Sequence, residues 1–94
     1  MGHYRSHTKI IVEILSTTRE MDSDGSGVGV TLLMDRCNVS YSRITRLLSQ
    51  LVASGLMEVG GGRSSKYRIR ENGLKFLQYQ RQFDEFAESF GLRL

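Results

Sequence analysis

Arginines and lysines define the chemistry this chain offers. Arg43, Arg46, Arg63, Lys66, Arg68 and Arg70 all fall within residues 40–70, where Glu58 is the only acid, so the segment carries +5 while the whole chain carries +3. Residues 1–39 and 71–94 each come to −1. Positive charge gathered in one segment is the footprint of a polyanion partner: guanidinium forks grip phosphates or guanine edges, and an ammonium acts as a point charge. Charge alone does not separate that reading from a solvated basic surface.

The other reactive side chains are too scattered to act together. Cys37 is the single cysteine, which excludes an internal disulfide framework and a four-thiolate zinc site. Its spacing sets it on the apolar side of a helix, as a small core residue and not a redox thiol. His3 and His7 stand four apart with no third ligand in view, so no metal site is expected. Gly25-Ser26-Gly27-Val28-Gly29 lacks the strand before and the lysine after that a phosphate-cradling loop needs. Asp22 and Asp24 open like a calcium loop, but no glutamate follows at the required distance. No nucleophile stands with its base, so the chain is read as a non-enzyme without cofactors. The opening Met1-Gly2-His3-Tyr4-Arg5-Ser6 nominally fits a myristoylation pattern, a short match that chance supplies often. His3, Arg5, His7 and Lys9 read as a solvated terminus in preference to a DNA-contacting arm.

Ninety-four residues make one small core that gains from a partner subunit. With 39% hydrophobic and 24% charged residues the composition is that of a globular domain. No apolar run approaches a membrane span or a signal-peptide core, so a cytoplasmic, nucleoid-associated location and no membrane partner are expected.

The periodicity predicts the elements that must position the basic residues. Ile10, Ile11, Ile14, Leu15, Thr18 and Met21 form a helical stripe over residues 7–21. Residues 22–27 are a loop, and residues 28–37 a short second helix with Val30, Leu33, Met34 and Cys37 available for burial. Asn38-Val39 is a turn, Ser40 an N-cap, and Gly55 a C-terminal cap. Between them a third helix, residues 40–54, turns Tyr41, Ile44, Leu47, Leu48 and Leu51 inward, with Tyr41 only partly buried and its hydroxyl still within reach of a phosphate. Its outward face is Ser42, Arg43, Thr45, Arg46, Ser49 and Gln50, with no acid among them. Residues 56–59 and 66–70 form a hairpin around the Gly60-Gly61-Gly62 tip, with Tyr67 and Ile69 inward and Lys66, Arg68 and Arg70 outward. A final helix spans residues 71–90, with Leu74 and Leu77 packing back on the domain. Phe76, Tyr79, Phe83, Phe86 and Phe90 follow a 3-4-3-4 spacing along it, a heptad seam for a second copy of the chain.

Helix, loop, short helix, tight turn, helix and basic hairpin are the order of a winged helix-turn-helix. The expected fold is mainly α with a small β-hairpin: a DNA-binding domain over residues 1–70, then a coiled-coil dimerisation helix over residues 71–94. In that arrangement the third helix enters the DNA major groove. Ser42, Arg43, Thr45, Arg46, Ser49 and Gln50 then face base edges and phosphates. Arg63, Ser64, Ser65 and Lys66, on the wing of residues 60–66, lie on the backbone or in the minor groove, with Arg68 outward on the returning strand. The expected partners are double-stranded DNA and a second copy. Two rivals remain at this point: a nucleoid-type architectural protein with little sequence preference, and a winged-helix protein-interaction module.

Thr31-Leu32-Leu33-Met34, Asn38-Val39-Ser40-Tyr41, Leu47-Leu48 and Ser54-Gly55-Leu56-Met57 resemble a family of small archaeal winged-helix DNA-binding proteins. Tyr67-Arg68-Ile69, running into Glu71-Asn72-Gly73-Leu74-Lys75-Phe76-Leu77, is similar to that family's entry into its last helix. The resemblance covers roughly residues 5–90. It implies a C-terminal helix paired as an antiparallel coiled coil, a direction the aromatic spacing does not itself specify. It also implies a transcriptional regulator or chromosomal DNA-binding protein. The chain departs from the family at Val30 and Leu32, where basic residues are usual, at Glu71 in place of threonine, and in its longer glycine-rich loop and wing.

Overall fold

A computed structural model describes residues 5–94. The elements run α1 (His7–Met21), α2 (Val30–Cys37), α3 (Tyr41–Ala53), β1 (Met57–Gly60), β2 (Lys66–Ile69) and α4 (Glu71–Glu88). This mainly helical chain with one small antiparallel hairpin has the predicted architecture. The readings that involve Met1 to Tyr4, a myristoylated terminus and a metal or DNA contact from His3, lie outside the described residues.

Each helix begins and ends for an identifiable reason. Ser6 caps α1 by accepting from the Lys9 amide at 3.1 Å. Ile10, Ile14, Leu15 and Thr18 are its buried face, and the Thr18 hydroxyl is satisfied by donating to the Ile14 carbonyl at 2.7 Å. α2 stops at Asn38, whose φ of 55° is the left-handed conformation that asparagine tolerates. Arg5 secures this stop: it donates to the carbonyls of Cys37 at 2.7 Å and Asn38 at 2.9 Å, and pairs with the Glu13 carboxylate. Arg5 is thereby a clamp across the helix-turn-helix corner and not part of a loose terminus. Ser40 caps α3, and Gly55, at φ 84°, turns the chain into the hairpin.

The core is Ile10, Ile14 and Leu15 from α1, Leu33 and Cys37 from α2, and Ile44, Leu47, Leu48 and Leu51 from α3, closed by Val28, Val39, Met57 and Leu77. The hairpin pairs Met57 with Ile69 and Gly60 with Lys66. As expected, Tyr67 and Ile69 turn inward.

Four expectations need correcting. The second helix starts at Val30 and not at residue 28. Val28 is instead buried and extended, and exchanges both backbone hydrogen bonds with Tyr67, at 2.9 and 2.8 Å. It gives β2 a neighbour on its second edge, and Gly27 permits the approach: at φ 95°, a Cβ there would stand 2.7 Å from Lys66 Cβ. Tyr41, expected inward, is 61% exposed. It is the first residue of α3, at the margin of the apolar stripe, and Cα–Cβ bonds tilt toward a helix's N-terminus, so its ring projects past the end of the core. Leu74 is exposed, leaving Leu77 and the half-buried Phe76 to hold α4 against the domain. α4 itself ends at Glu88, where Gly91, at φ 80°, lets the Leu92 amide return to the Ala87 carbonyl at 3.1 Å.

Candidate nucleic-acid interface

α3 presents Ser42, Arg46, Ser49 and Gln50 to solvent, with Arg43 and Thr45 half-buried. No acid stands on this helix. Arg43 and Arg46 form no ion pair among the described residues, so their guanidinium forks are uncommitted. Thr45 is different. Its hydroxyl lies 2.9 Å from the Tyr41 carbonyl and 3.1 Å from that of Ser42, so its proton is directed into the helix and its methyl is what remains for a ligand.

The wing carries Arg63, Ser64, Ser65 and Lys66, all exposed and free of ion pairs among the described residues. Gly62 at its tip has φ 92°. Arg68, further along β2, is held within the chain. Its Nε donates to Asp22 at 3.1 Å, and Nη1 lies 3.7 Å from Glu58. Of the basic residues expected on DNA it is the one whose charge is already neutralised.

Between wing, α2 and α3 runs an open groove of about 560 Å³, lined by Gly29, Val30, Thr31, Leu32, Tyr41, Thr45, Ser64, Ser65, Lys66 and Tyr67. No carboxylate borders it. Lys66 Nζ hangs beside Gly29, 3.8 Å from where a Cβ would stand. Gly29 caps α2 with no side-chain bond, so the ammonium stands near the positive end of a helix, with the exposed Asp24 carboxylate close enough to attract it. Tyr41 and Thr31 belong to this face although the spacing did not assign them to it. The available signal was Tyr41's place at the first turn of α3, on the edge of its stripe.

The remaining candidates separate cleanly. Cys37 is buried, with Sγ 3.7 Å from the Thr17 hydroxyl, and burial pushes its thiol pKa up, away from the reactive thiolate. Asp24 is held by the Ser26 hydroxyl at 2.7 Å and amide at 3.0 Å, which lower its pKa. Among the described residues no group of three His, Cys, Asp or Glu side chains could hold a metal ion. None of the described helices is long and apolar enough to cross a membrane.

α4 has two faces. Gly73, Leu77 and Ala87 are buried, Gly73 against Leu56 and Ile69 and Leu77 in the core. Roughly 100° around the helix at 3.6 residues per turn, Tyr79, Phe83 and Phe86 are each more than half exposed, as is Phe90 in the turn beyond the helix end. Phe86 and Phe90 meet edge to face, their ring centroids 5.1 Å apart. Phe76, at the base of this seam, packs partly on the chain's own core.

A short helix braced across a recognition-type helix, with a basic hairpin beside them, defines a winged-helix DNA-binding fold. The chain belongs to the winged helix-turn-helix family, whose profile matches residues 4–88. Solved structures agree on the fold. Sso10a-2, a DNA-binding protein from Sulfolobus solfataricus, superposes with a TM-score of 0.72 at 21% identity, over 92% of this chain and 85% of that one. AF1382 from Archaeoglobus fulgidus gives 0.69 at 20% identity, over 85% and 89%. The PcaV transcriptional regulator from Streptomyces coelicolor, solved with its natural ligand, gives 0.62 at 18% identity, over 93% of this chain and 64% of that one. No curated protein matches the chain.

Proposed function

We propose that this protein is a homodimeric, sequence-specific regulator of transcription that acts in the cytoplasm on double-stranded DNA. α3 enters the major groove. Arg43 and Arg46 read guanine edges or grip phosphates, while Ser42, Ser49 and Gln50 make shorter polar contacts and the Thr45 methyl an apolar one. The wing lays Arg63, Ser64, Ser65 and Lys66 along the backbone or into the minor groove. Residues 1–70 are the DNA-binding unit and residues 71–94 the dimerisation helix, whose seam of Phe76, Tyr79, Phe83, Phe86 and Phe90 sets the spacing of two half-sites. The observation that carries this reading is the acid-free face of α3, with two uncommitted arginines, beside a wing with two uncommitted cations. A row of large exposed aromatics on a small monomer supports the dimer, because soluble monomers rarely leave such a patch open.

Fluorescence anisotropy tests it, first with a random-sequence duplex across several salt concentrations, then with duplexes enriched by selection. Binding with a steep negative log–log salt slope supports the DNA-binding face. Selected sites bound about a thousand-fold or more above random support sequence-specific regulation. Equal affinity for all duplexes would replace regulation with an architectural role. No binding near ~100 µM, the weak end of non-specific affinity, would favour a protein-interaction module.

A further inference from the structure

Two backbone carbonyls at the helix-turn-helix corner depend on one side chain. Cys37 ends α2, and Asn38, at φ 55°, turns the chain toward α3. Their carbonyls belong to a helix C-terminus, where peptide oxygens lack partners and carry partial negative charge. No backbone amide among the described turns and caps donates to either. Arg5 supplies both donors, Nη1 to the Cys37 carbonyl at 2.7 Å and Nη2 to that of Asn38 at 2.9 Å. Nη1 also meets the Glu13 carboxylate, so the guanidinium is charge-matched and joins α1 to the corner. Only Asn38, Val39 and Ser40 separate α2 from α3. Ile44, Leu47, Leu48 and Leu51 seat α3 in the core, and the corner sets where the helix starts. A helix of this length spans about 20 Å, so a swing of about 10° at its first residue moves Arg46 by roughly 1 Å and the far end by about 3 Å.

We propose that Arg5 is a positioning residue for sequence readout: its guanidinium fork holds the corner that aims α3, and it does so without touching DNA. The inference rests on the sequence-specific reading above and concerns how α3 is aimed, whichever of its side chains make the contacts. Groups that read a ligand must be held within about 0.5 Å of their productive position, a tolerance that the swing at Arg46 exceeds. Without the fork, the aligned corner becomes one conformation among several, and apparent affinity falls with the fraction that remains aligned. Base readout feels that loss in full. Backbone binding tolerates it, because phosphates recur along the strand and flexible cationic side chains can follow them. The fork itself is the requirement. A lysine ammonium keeps the charge but is a compact point, without the planar donors that span two successive carbonyls.

The test separates a positioning role from a DNA contact and from a purely structural one. The full-length wild type, Arg5→Gln, Arg5→Lys and Glu13→Gln are titrated against a selected duplex and a random one, each across a salt series. Titrations run at a temperature where circular dichroism shows every variant folded. Arg5→Gln is expected to lower the preference for the selected duplex about 3- to 10-fold, with the salt slope on random duplex unchanged, because Arg5 displaces no counterion. Arg5→Lys recovers only part of that preference. Glu13→Gln, which leaves both carbonyl bonds in place, loses less. Should Arg5→Gln not fold, Arg5→Lys carries the same comparison. An undiminished preference in a folded Arg5 variant overturns the proposal and leaves the clamp to stability alone. Equal losses on both duplexes, with a slope shallower by about 0.9, also overturn it, since Arg5 would then be on a phosphate. Full recovery in Arg5→Lys overturns the need for the fork. A wild type that binds DNA with no preference for any duplex removes the sequence-specific reading itself, and this role with it.

Discussion

Asp22 and Arg68, 46 residues apart, close the hairpin onto the loop that follows α1: Arg68 Nε donates to Asp22 Oδ2 at 3.1 Å while Asp22 Oδ1 accepts from the Gly27 amide at 2.9 Å. One carboxylate thus shapes the loop and ties it to β2, next to the two backbone hydrogen bonds between Val28 and Tyr67. The Asp22 side chain is only 8% exposed, which screens the pair less than an ordinary surface ion pair. Asp22→Ala leaves the Gly27 amide without its acceptor and is expected to cost about 1–2 kcal/mol in urea denaturation. Asp22→Asn and Arg68→Gln, combined in a double-mutant cycle, should show a coupling of roughly 0.5–1 kcal/mol. A coupling of zero would mean that the two side chains stand together without holding the loop to the hairpin.

The same pair discounts Arg68 as a DNA contact. Its guanidinium has two carboxylate neighbours, Asp22 and Glu58, whereas Arg63 has none among the described residues. A cation releases DNA counterions in proportion to the phosphate charge it neutralises, roughly 0.9 in log–log slope for a full contact. Arg63→Ala should therefore flatten the salt dependence of DNA binding by close to that amount and Arg68→Ala by clearly less. Equal flattening would show that DNA draws Arg68 away from Asp22.

Most of the scaffold was legible because it depends on periodicity. Ile44, Leu47, Leu48 and Leu51 mark α3, and the strict alternation from Lys66 to Ile69 marks β2. What could not be read depends on contacts between distant segments. Alternation says that Arg68 faces out, but not that Asp22 folds over it. Val28 is one extended residue between glycines and has no period, so it was absorbed into the helix that follows. Tyr41 shares a stripe with buried residues, yet its place at the helix end decides its exposure. At the candidate interface, side-chain type and facing were legible for Arg43, Arg46 and the wing. The groove that adds Thr31 and Tyr41 forms only when three elements come together.

Gly73 shows how closely α4 approaches the hairpin. A Cβ there would stand 2.4 Å from the Leu56 carbonyl oxygen and 2.6 Å from Ile69 Cγ1. That oxygen is fixed by the Arg70 amide at 3.0 Å, so it cannot give way cheaply. Gly73→Ala is expected to destabilise the fold by about 2 kcal/mol and to lower Tm by roughly 10 °C. Gly61→Ala, where a Cβ meets nothing within 4 Å, is the control and should leave Tm nearly unchanged. Thermal unfolding followed by circular dichroism reads both. An unchanged Tm in Gly73→Ala would mean that α4 shifts on its seat without cost.

Arg46 is exposed on the acid-free face of α3, one turn beyond Ser42 and without an ion-pair partner among the described residues. If its fork reads a base, Arg46→Ala should weaken binding to the selected site by about 1–3 kcal/mol, with a smaller effect on random duplex. Competition titrations on both duplexes measure that difference. Equal losses on the two would assign Arg46 to phosphate, and no loss on either would remove it from the interface.

The aromatic seam of α4 makes the clearest structural prediction. Phe83 is 53% exposed, between Tyr79 and Phe86, and its inner side lines an open groove with Val12 and Glu13 of α1. Glu at this position gives up only a partial contact within the single chain, because more than half of the side chain stands in water. Across a two-fold interface it would bury two carboxylates among aromatic rings, where an unpaired charge is strongly disfavoured. Phe83→Glu is therefore expected to be a folded monomer by light scattering, with helical circular dichroism near the wild type's and weaker binding to a two-half-site duplex. Ala87→Glu gives the contrast: Ala87 is buried against the chain's own structure, so a charge there should lower Tm even in the monomer. A Phe83→Glu protein that remained dimeric would move the interface off the seam and leave the spacing of half-sites to another surface.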